Sequence, residues 1–307
     1  MLFTAIVIGT VLAPAIAFVG LPIAAAGIAG LAYRGHTSLA ALAAAFGVAV
    51  VGVLNVSDVV YAAPVLAAVV LAVVLLPRRS MQAVVAALIA VFALANMTAD
   101  ALFARSKGTT LAASITQDSQ TAVTELTKAL GASASVETIR TLKDAAGVVS
   151  SAWPSAYFQT AVFVGVLVIV AIAWAARRVD RPVAVPPLSR LDLTPHVLWV
   201  FVAGLFMLAA SYASVGGAGA LGVVGLNLVL CARTLFFIQG ISVAAGVLDR
   251  TGVGLGGRIL ALAALAALDA FTLAVSFTGL LDFWVNFRRL PREGAAPTVA
   301  EPDGRRW

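Results

Sequence analysis

The sequence predicts an all-α fold, a polytopic bundle of about eight or nine membrane segments with a small helical insertion outside the membrane. Three observations predict it. The chain is 62% apolar and only 11% charged, with a mean hydropathy of +1.04, a balance that soluble domains do not reach. Its apolar residues fall in long runs, and 307 residues hold about eight or nine spans of about 20 residues each. Its charges gather between those runs, where a membrane protein must put them.

Residues 2–19 read as a first span kinked by Pro14. Ala15-Ile16-Ala17 mimics a signal-peptidase site, but no basic n-region precedes it, so a retained span is expected. Leu21-Pro22 opens a short element to Tyr33, about 18 Å if helical and too short to cross squarely. Arg34-Gly35-His36 ends it, and Ser38 reads as the N-cap of a span over 39–55. Further spans follow at 59–76, stopped by Pro77-Arg78-Arg79, and at 82–104, ending near Asp100 and Arg105.

Residues 106–155 change character to Ser, Thr and Ala with balanced charge. Two amphipathic helices are legible there. One carries Ile115, Ala122, Leu126 and Leu130; the other follows Ser135 with Val136, Ile139, Leu142 and Val149. Trp153-Pro154 closes the segment at an interface. Spans at 157–176, 196–214, 219–248 and 258–285 complete the bundle, with Thr194-Pro195 opening the second of them. The expected organisation is therefore membrane helices over 1–105, an extracytoplasmic segment over 106–155, membrane helices over 156–292 and a disordered basic tail over 293–307.

Arg34, Arg78-Arg79, the cluster Arg177, Arg178, Arg181 and Arg190, and Arg250 with Arg258 share one side if every span crosses once. The positive-inside rule makes that side cytoplasmic in a bacterial inner membrane and puts 106–155 outside. One conflict remains. A single crossing at 258–285 would leave Arg288, Arg289, Arg292, Arg305 and Arg306 outside, so either the segment breaks near Thr278-Gly279 and returns, or the rule fails there.

Polar residues at membrane depth concentrate in 219–292. An ionisable group in lipid is costly unless paired or wet, so each is a candidate site residue. Arg233 lies 16 residues before Asp249, and Asp269 lies 11 after Arg258. Antiparallel neighbours would bring those two charges within reach of each other. They read as a solute site or proton relay, or as a structural ion pair pinning two helices. Gln239 falls near the depth of Asp269 and is expected to hydrogen-bond it. Arg233 and Gln239, about 120° apart round a helix, face one partner only if the helix bends. Gly240 permits a bend or a close crossing. Asn227 completes the candidate substrate-binding set, Arg233, Gln239, Asp269 and Asn227, although its level suits a helix-contact residue equally.

Asp269, Thr272 and Ser276 form a polar stripe at helical spacing. Asp282, Trp284, Phe287, Arg288 and Arg289 mix aromatics with charges at a helix end and read as an interfacial anchor, or as a protein-docking surface. Gly252, Gly254 and Gly257 match GxGxxG formally, but a membrane helix precedes them where a dinucleotide site needs a strand. They read as a turn. Gly216, Gly217, Gly219, Gly222 and Gly225 suit close helix packing.

Cys231 is alone, which excludes an intramolecular disulfide and a cysteine metal cluster. His36 and His196 have no ligand spacing, so no metal or cofactor is expected. No Ser/His/Asp set, HExxH or paired carboxylates stand at an interface, so no enzyme is expected either. The lipid bilayer is the one certain partner; nothing points to nucleic acid.

The pattern N…FFxQG over 227–240, followed by GLLDxWxxFRR over 279–289, resembles the YybS-like family of bacterial multipass membrane proteins, defined by a domain of unknown function. Asn286 departs from the acidic residue expected in the second motif. The N-terminal half is more distantly similar to the substrate-binding S components of energy-coupling-factor transporters and to the rod-shape protein MreD. That resemblance implies a solute-binding or transport subunit, energised by an ATPase on another chain. A non-enzymatic scaffold for envelope assembly, with a membrane-protein partner, is the alternative.

Overall fold

The computed structural model describes residues 1–131, 135–180, 183, 185–213 and 219–290. The expected tail over 293–307, Arg181, Arg292, and Gly216 with Gly217 lie outside the described residues. Among the described residues the fold is all-α: α1 (Leu2–Leu12), α2 (Ala17–Ala32), α3 (Thr37–Leu54), α4 (Val59–Leu75), α5 (Met81–Ser106), α6 (Leu111–Leu130), α7 (Val136–Arg177), α8 (His196–Ala213), α9 (Ala220–Arg250), α10 (Leu255–Thr272) and α11 (Ala274–Val285). Seven stretches are long and apolar enough to cross a membrane, and α1, α2 and α11 are shorter apolar helices. This is the polytopic helical bundle that the sequence predicts.

The chain divides into two compact units. The first holds Met1–Val185 with Phe201–Cys231; the second holds Pro186–Val200 with Ala232 onward.

The first unit is built around α2. Leu21, Ala24, Ala25, Ile28 and Ala29 are wholly buried, and α1, α3, α4 and α7 all pack on this helix. The expected span over 2–19 is corrected here. The helix stops at Leu12, and α2 starts at Ala17 and runs back. A Cβ on Gly9 would lie 2.4 Å from the Ala24 nitrogen, and one on Gly20 would lie 2.5 Å from the Ala13 nitrogen. The two helices therefore meet backbone to backbone and antiparallel, a contact open only to small residues. Pro14 marks a chain reversal, while Pro22 is carried inside α2. The cap expected from Ser38 is also corrected: α3 begins two residues earlier than the expected span, at Thr37, behind His36.

The amphipathic pair forms, with Thr110 capping α6 and Ser135 capping α7. α6 packs along α7. Leu126 and Leu130 of the expected apolar stripe stay exposed. Trp153-Pro154 does not end the segment, because α7, 42 residues long in all, continues through it to Arg177. Proline removes one N–H and crowds the preceding turn, and a neighbouring helix re-satisfies the freed groups. Here the neighbour is α9. The Asn227 side-chain amide accepts from the Ser155 N–H at 2.8 Å and donates to the Ser151 carbonyl at 2.8 Å, the two groups of one helical turn beside Pro154. Asn227 is thus a clamp between α7 and the first part of α9. Asn227→Ala is expected to lower thermal stability in detergent by about 1–2 kcal/mol, two interhelical bonds at ordinary membrane strength. A melting curve unchanged from wild type would refute the clamp.

In the second unit α9 ends at Arg250, and a turn holding Gly252 at φ +69° leads into α10. Arg258 bonds the Asp249 carboxylate and the Val253 carbonyl across this turn. The expected single segment over 258–285 breaks, at Leu273 rather than at Thr278-Gly279. Leu273 is left-handed, with φ 57° and ψ 11°. After it the chain returns along α9. Asp269 lies beside Arg233, whereas Arg288 lies against Ser242 and Gly246, so between them the chain travels about 20 Å back along the α9 axis. The Arg250 guanidinium bonds the Arg288 carbonyl at 3.2 Å. Arg288 therefore stands at the Arg250–Arg258 end with Arg289 next to it in the chain, as a returning segment rather than a single crossing requires, while Arg292, Arg305 and Arg306 lie outside the described residues.

Candidate functional site

The polar residues of the second unit form two clusters on α9. The upper one is Arg233, Asp269 and Ser276. Arg233 Nη2 lies 3.4 Å from Asp269 Oδ2, so counting helical rise from the two turn residues places this pair well. Asp269 also accepts the Ser276 N–H at 2.8 Å and the Ser276 hydroxyl at 2.7 Å. The N-cap of α11 is Leu273, which has no capping side chain, and Asp269 supplies the missing acceptor from the preceding helix. A carboxylate at a helix N-terminus also meets the positive end of its dipole. The expected stripe of Asp269, Thr272 and Ser276 is interrupted by Leu273, so Ser276 folds back onto Asp269 and Thr272 bonds the Leu268 carbonyl.

The lower cluster joins three separate stretches of chain. Gln239 Nε2 donates to Asp192 Oδ1 at 2.7 Å and to Asp282 Oδ2 at 2.9 Å. Arg288 Nη2 donates to the same two oxygens at 3.2 and 2.8 Å. The four side chains close a ring of two carboxylates bridged by one amide and one guanidinium. Two carboxylates on one side of Gln239 fix its NH2 there, and its carbonyl accepts the Leu193 N–H at 3.2 Å. The ring is buried on one side and open on the other: the Arg288 side chain is 2% exposed and that of Asp282 0%, whereas that of Asp192 is 27% exposed.

Ser242, one helical turn from Gln239, tightens the same stretch. Its hydroxyl lies 2.5 Å from the Leu188 carbonyl and accepts from Arg288 Nη1 at 2.6 Å. Arg288 Nη1 also reaches the Ser189 and Leu191 carbonyls. The segment from Leu188 to Leu193 is thereby laid along α9. Gly240 and Gly279 set the spacing above it. A Cβ on Gly279 would fall 1.9 Å from the Phe236 carbonyl oxygen, and one on Gly240 would fall 2.0 Å from that of Val275.

Two expectations are corrected. Gln239 does not bond Asp269, because α11 turns back and brings Asp282 to it instead. Arg233 and Gln239 thus serve different partners, and no bend of α9 is needed to bring them to one. The interfacial anchor holds only in part: Trp284 and Phe287 are 66% and 41% exposed and Arg289 is exposed, while Asp282 and Arg288 are buried in the ring. Asn286 explains the geometry. It is left-handed at φ 48°, caps α11, and its side chain holds both the N–H and the carbonyl of Leu290. Asparagine tolerates that conformation, and the turn swings Arg288 back beside Asp282, a match that straight helical spacing does not produce.

Four candidate substrate residues therefore do not converge. Asn227 bonds within the first unit, Gln239 belongs to the ring, and only Arg233 and Asp269 remain together. Asp192 and Ser242 were missed, whereas Ser276 stood in the expected polar stripe. Ser242 was signalled by its place three residues after Gln239; no such signal marks Asp192. Among the described residues no group of His, Cys, Asp or Glu has the arrangement of a metal site.

The family described as predicted membrane protein (DUF2232) matches residues 1–283, nearly the whole chain. The chain belongs to this family. The resemblance to YybS-like proteins fits that membership, and the family's description gives membrane residence without an activity. The match takes in every helix from α1 to α10, both units, and the ring residues Asp192, Gln239 and Asp282. No curated protein and no solved structure matches this DUF2232 member.

Proposed function

We propose that this DUF2232 protein is a non-enzymatic scaffold of the bacterial cytoplasmic membrane. It would display α6 and the first half of α7 on the extracytoplasmic side and its basic turns inside, for a membrane-protein partner in envelope assembly. The observation that carries this is the closed ring of Asp192, Gln239, Asp282 and Arg288. Its side chains bond one another and the 188–193 backbone, with Arg288 Nε left without a partner, and the glycine crossing brings α9 and α11 backbone to backbone. Such a ring suits a rigid support better than a site that must open for cargo. Charge supports the orientation, since the return of α11 collects Arg250, Arg258, Arg288 and Arg289 at one end.

Deleting residues 110–150 tests the scaffold. The truncated protein is expected to insert and melt like wild type, while losing both its cross-linked partner in native membranes and its growth phenotype. An unchanged partner set and phenotype would overturn it. A second reading, a solute-binding subunit resembling S components and driven by a separate ATPase, is supported by the half-exposed Arg233 beside buried Asp269. Native mass spectrometry separates the two: a small-molecule adduct lost in Asp269→Asn would favour the solute reading.

A further inference from the structure

We propose that Arg233 and the apolar surface around it form a binding site for one anionic phospholipid, in the leaflet away from the basic end of the second unit. The guanidinium has five N–H donors. Only Nη2 is engaged, at 3.4 Å to Asp269 Oδ2 and 3.5 Å to the Asp269 carbonyl, longer than the roughly 2.7–2.9 Å of a tight charge-assisted bond. Nε and Nη1 have no partner among the described residues, and 38% of the side chain is exposed. Asp269 offsets the charge from one side only, at 3.4 Å. Its side chain is 4% exposed and committed to the N-terminus of α11, whose dipole adds positive potential at the same place.

Depth selects the ligand. Arg233 stands 17 residues before Arg250 on α9, about 25 Å along the axis. If Arg250 marks headgroup level at one face, a hydrocarbon core about 30 Å thick leaves only about 5 Å to the opposite headgroups, within the reach of an extended arginine. Open donors facing hydrocarbon are costly, and a lipid phosphate is the nearest oxyanion able to fill them, by a bidentate contact. The residues flanking the pair suit the attached chains: Leu268, Phe271, Leu273 and Phe277 are 47%, 89%, 49% and 59% exposed. A zwitterionic lipid brings its own cation to the phosphate, so the site favours phosphatidylglycerol over phosphatidylcholine. This holds whether the protein acts as scaffold or as solute subunit.

The test is native mass spectrometry of the full chain released from nanodiscs of phosphatidylcholine containing a minor fraction of phosphatidylglycerol. Wild type is expected to retain one more phosphatidylglycerol per chain than Arg233→Gln, with its selectivity over phosphatidylcholine falling at least threefold in the variant. Arg233→Leu with Asp269→Asn, which removes both charges together while leaving an amide oxygen to accept from the N-terminus of α11, guards against misfolding: it is expected to melt near wild type and to lose the same lipid. Equal retention by wild type and either variant overturns the proposal. So does loss of that lipid in Arg289→Gln, which would put it at the basic end, and so does equal retention of phosphatidylcholine by wild type.

Discussion

Gly279→Ala is expected to disrupt the α9–α11 crossing at a cost of at least about 3 kcal/mol, the upper part of the range for overpacking a close-packed site. The added methyl would sit 1.9 Å from the Phe236 carbonyl oxygen and 2.6 Å from the Gly240 nitrogen. Both are backbone atoms of one helix, so no side chain can move aside. α11 must lift off α9, and the ring below the crossing opens with it. Thermal melting in detergent and limited proteolysis between residues 273 and 290 read the loss. Gly256→Ala is the matched control, since nothing lies within 4 Å of its Cβ position. If both variants melt like wild type, the close crossing is wrong.

Arg288→Leu is the second large effect, about 3–5 kcal/mol, the usual cost of removing one partner from a buried ion pair. The side chain bridges Asp192 and Asp282 while gripping Ser242 and the Ser189 and Leu191 carbonyls. Its loss withdraws the cation from a carboxylate that is 0% exposed and releases the 188–193 segment. Arg288→Lys is expected to restore little, because an ammonium cannot span the two carboxylates as a planar fork does. Arg288→Leu combined with Asp282→Leu should recover part of the stability, since an apolar pair leaves no buried charge unmatched. Equal stability for the single and double variants would show that the pair is not energetically coupled.

The spans were legible because lipid permits so few sequences, and an apolar run bounded by arginines has one interpretation. Within a run the signal vanishes. Residues 2–33 hold scarcely a polar group, so nothing marked the reversal after Leu12, and Pro14 looked like a kink. Glycine contacts such as Gly9 with Ala24 decide it, and these are pairings in space. Arg233 and Asp269 were found because both helices start from one short turn, so counting rise from it places them. Gln239 was paired wrongly by the same arithmetic, which assumed that the segment after Asp269 kept going. Leu273 breaks it in a conformation that bulky side chains rarely adopt, and no propensity announces such a residue. Nothing in the sequence singles out Asp192, because the chain's route along α9 is set by bonds to Ser242 and Gln239, which sequence does not display.

The ring also constrains the order of biogenesis. Its members come from residues 192, 239, 282 and 288, so it closes only when the last of these has left the ribosome, well after α9 is in the bilayer. Until then Asp192 and Gln239 lack two of their four-membered set, and α11, only 12 residues long, is too short to be threaded across as an independent span of about 20. Insertion therefore divides into lateral release of α9 and α10, then post-insertional docking of α11 as a wedge. A nascent chain stalled before Asp282 would expose this gap to membrane quality-control proteases, making α11 the checkpoint for the protein's survival.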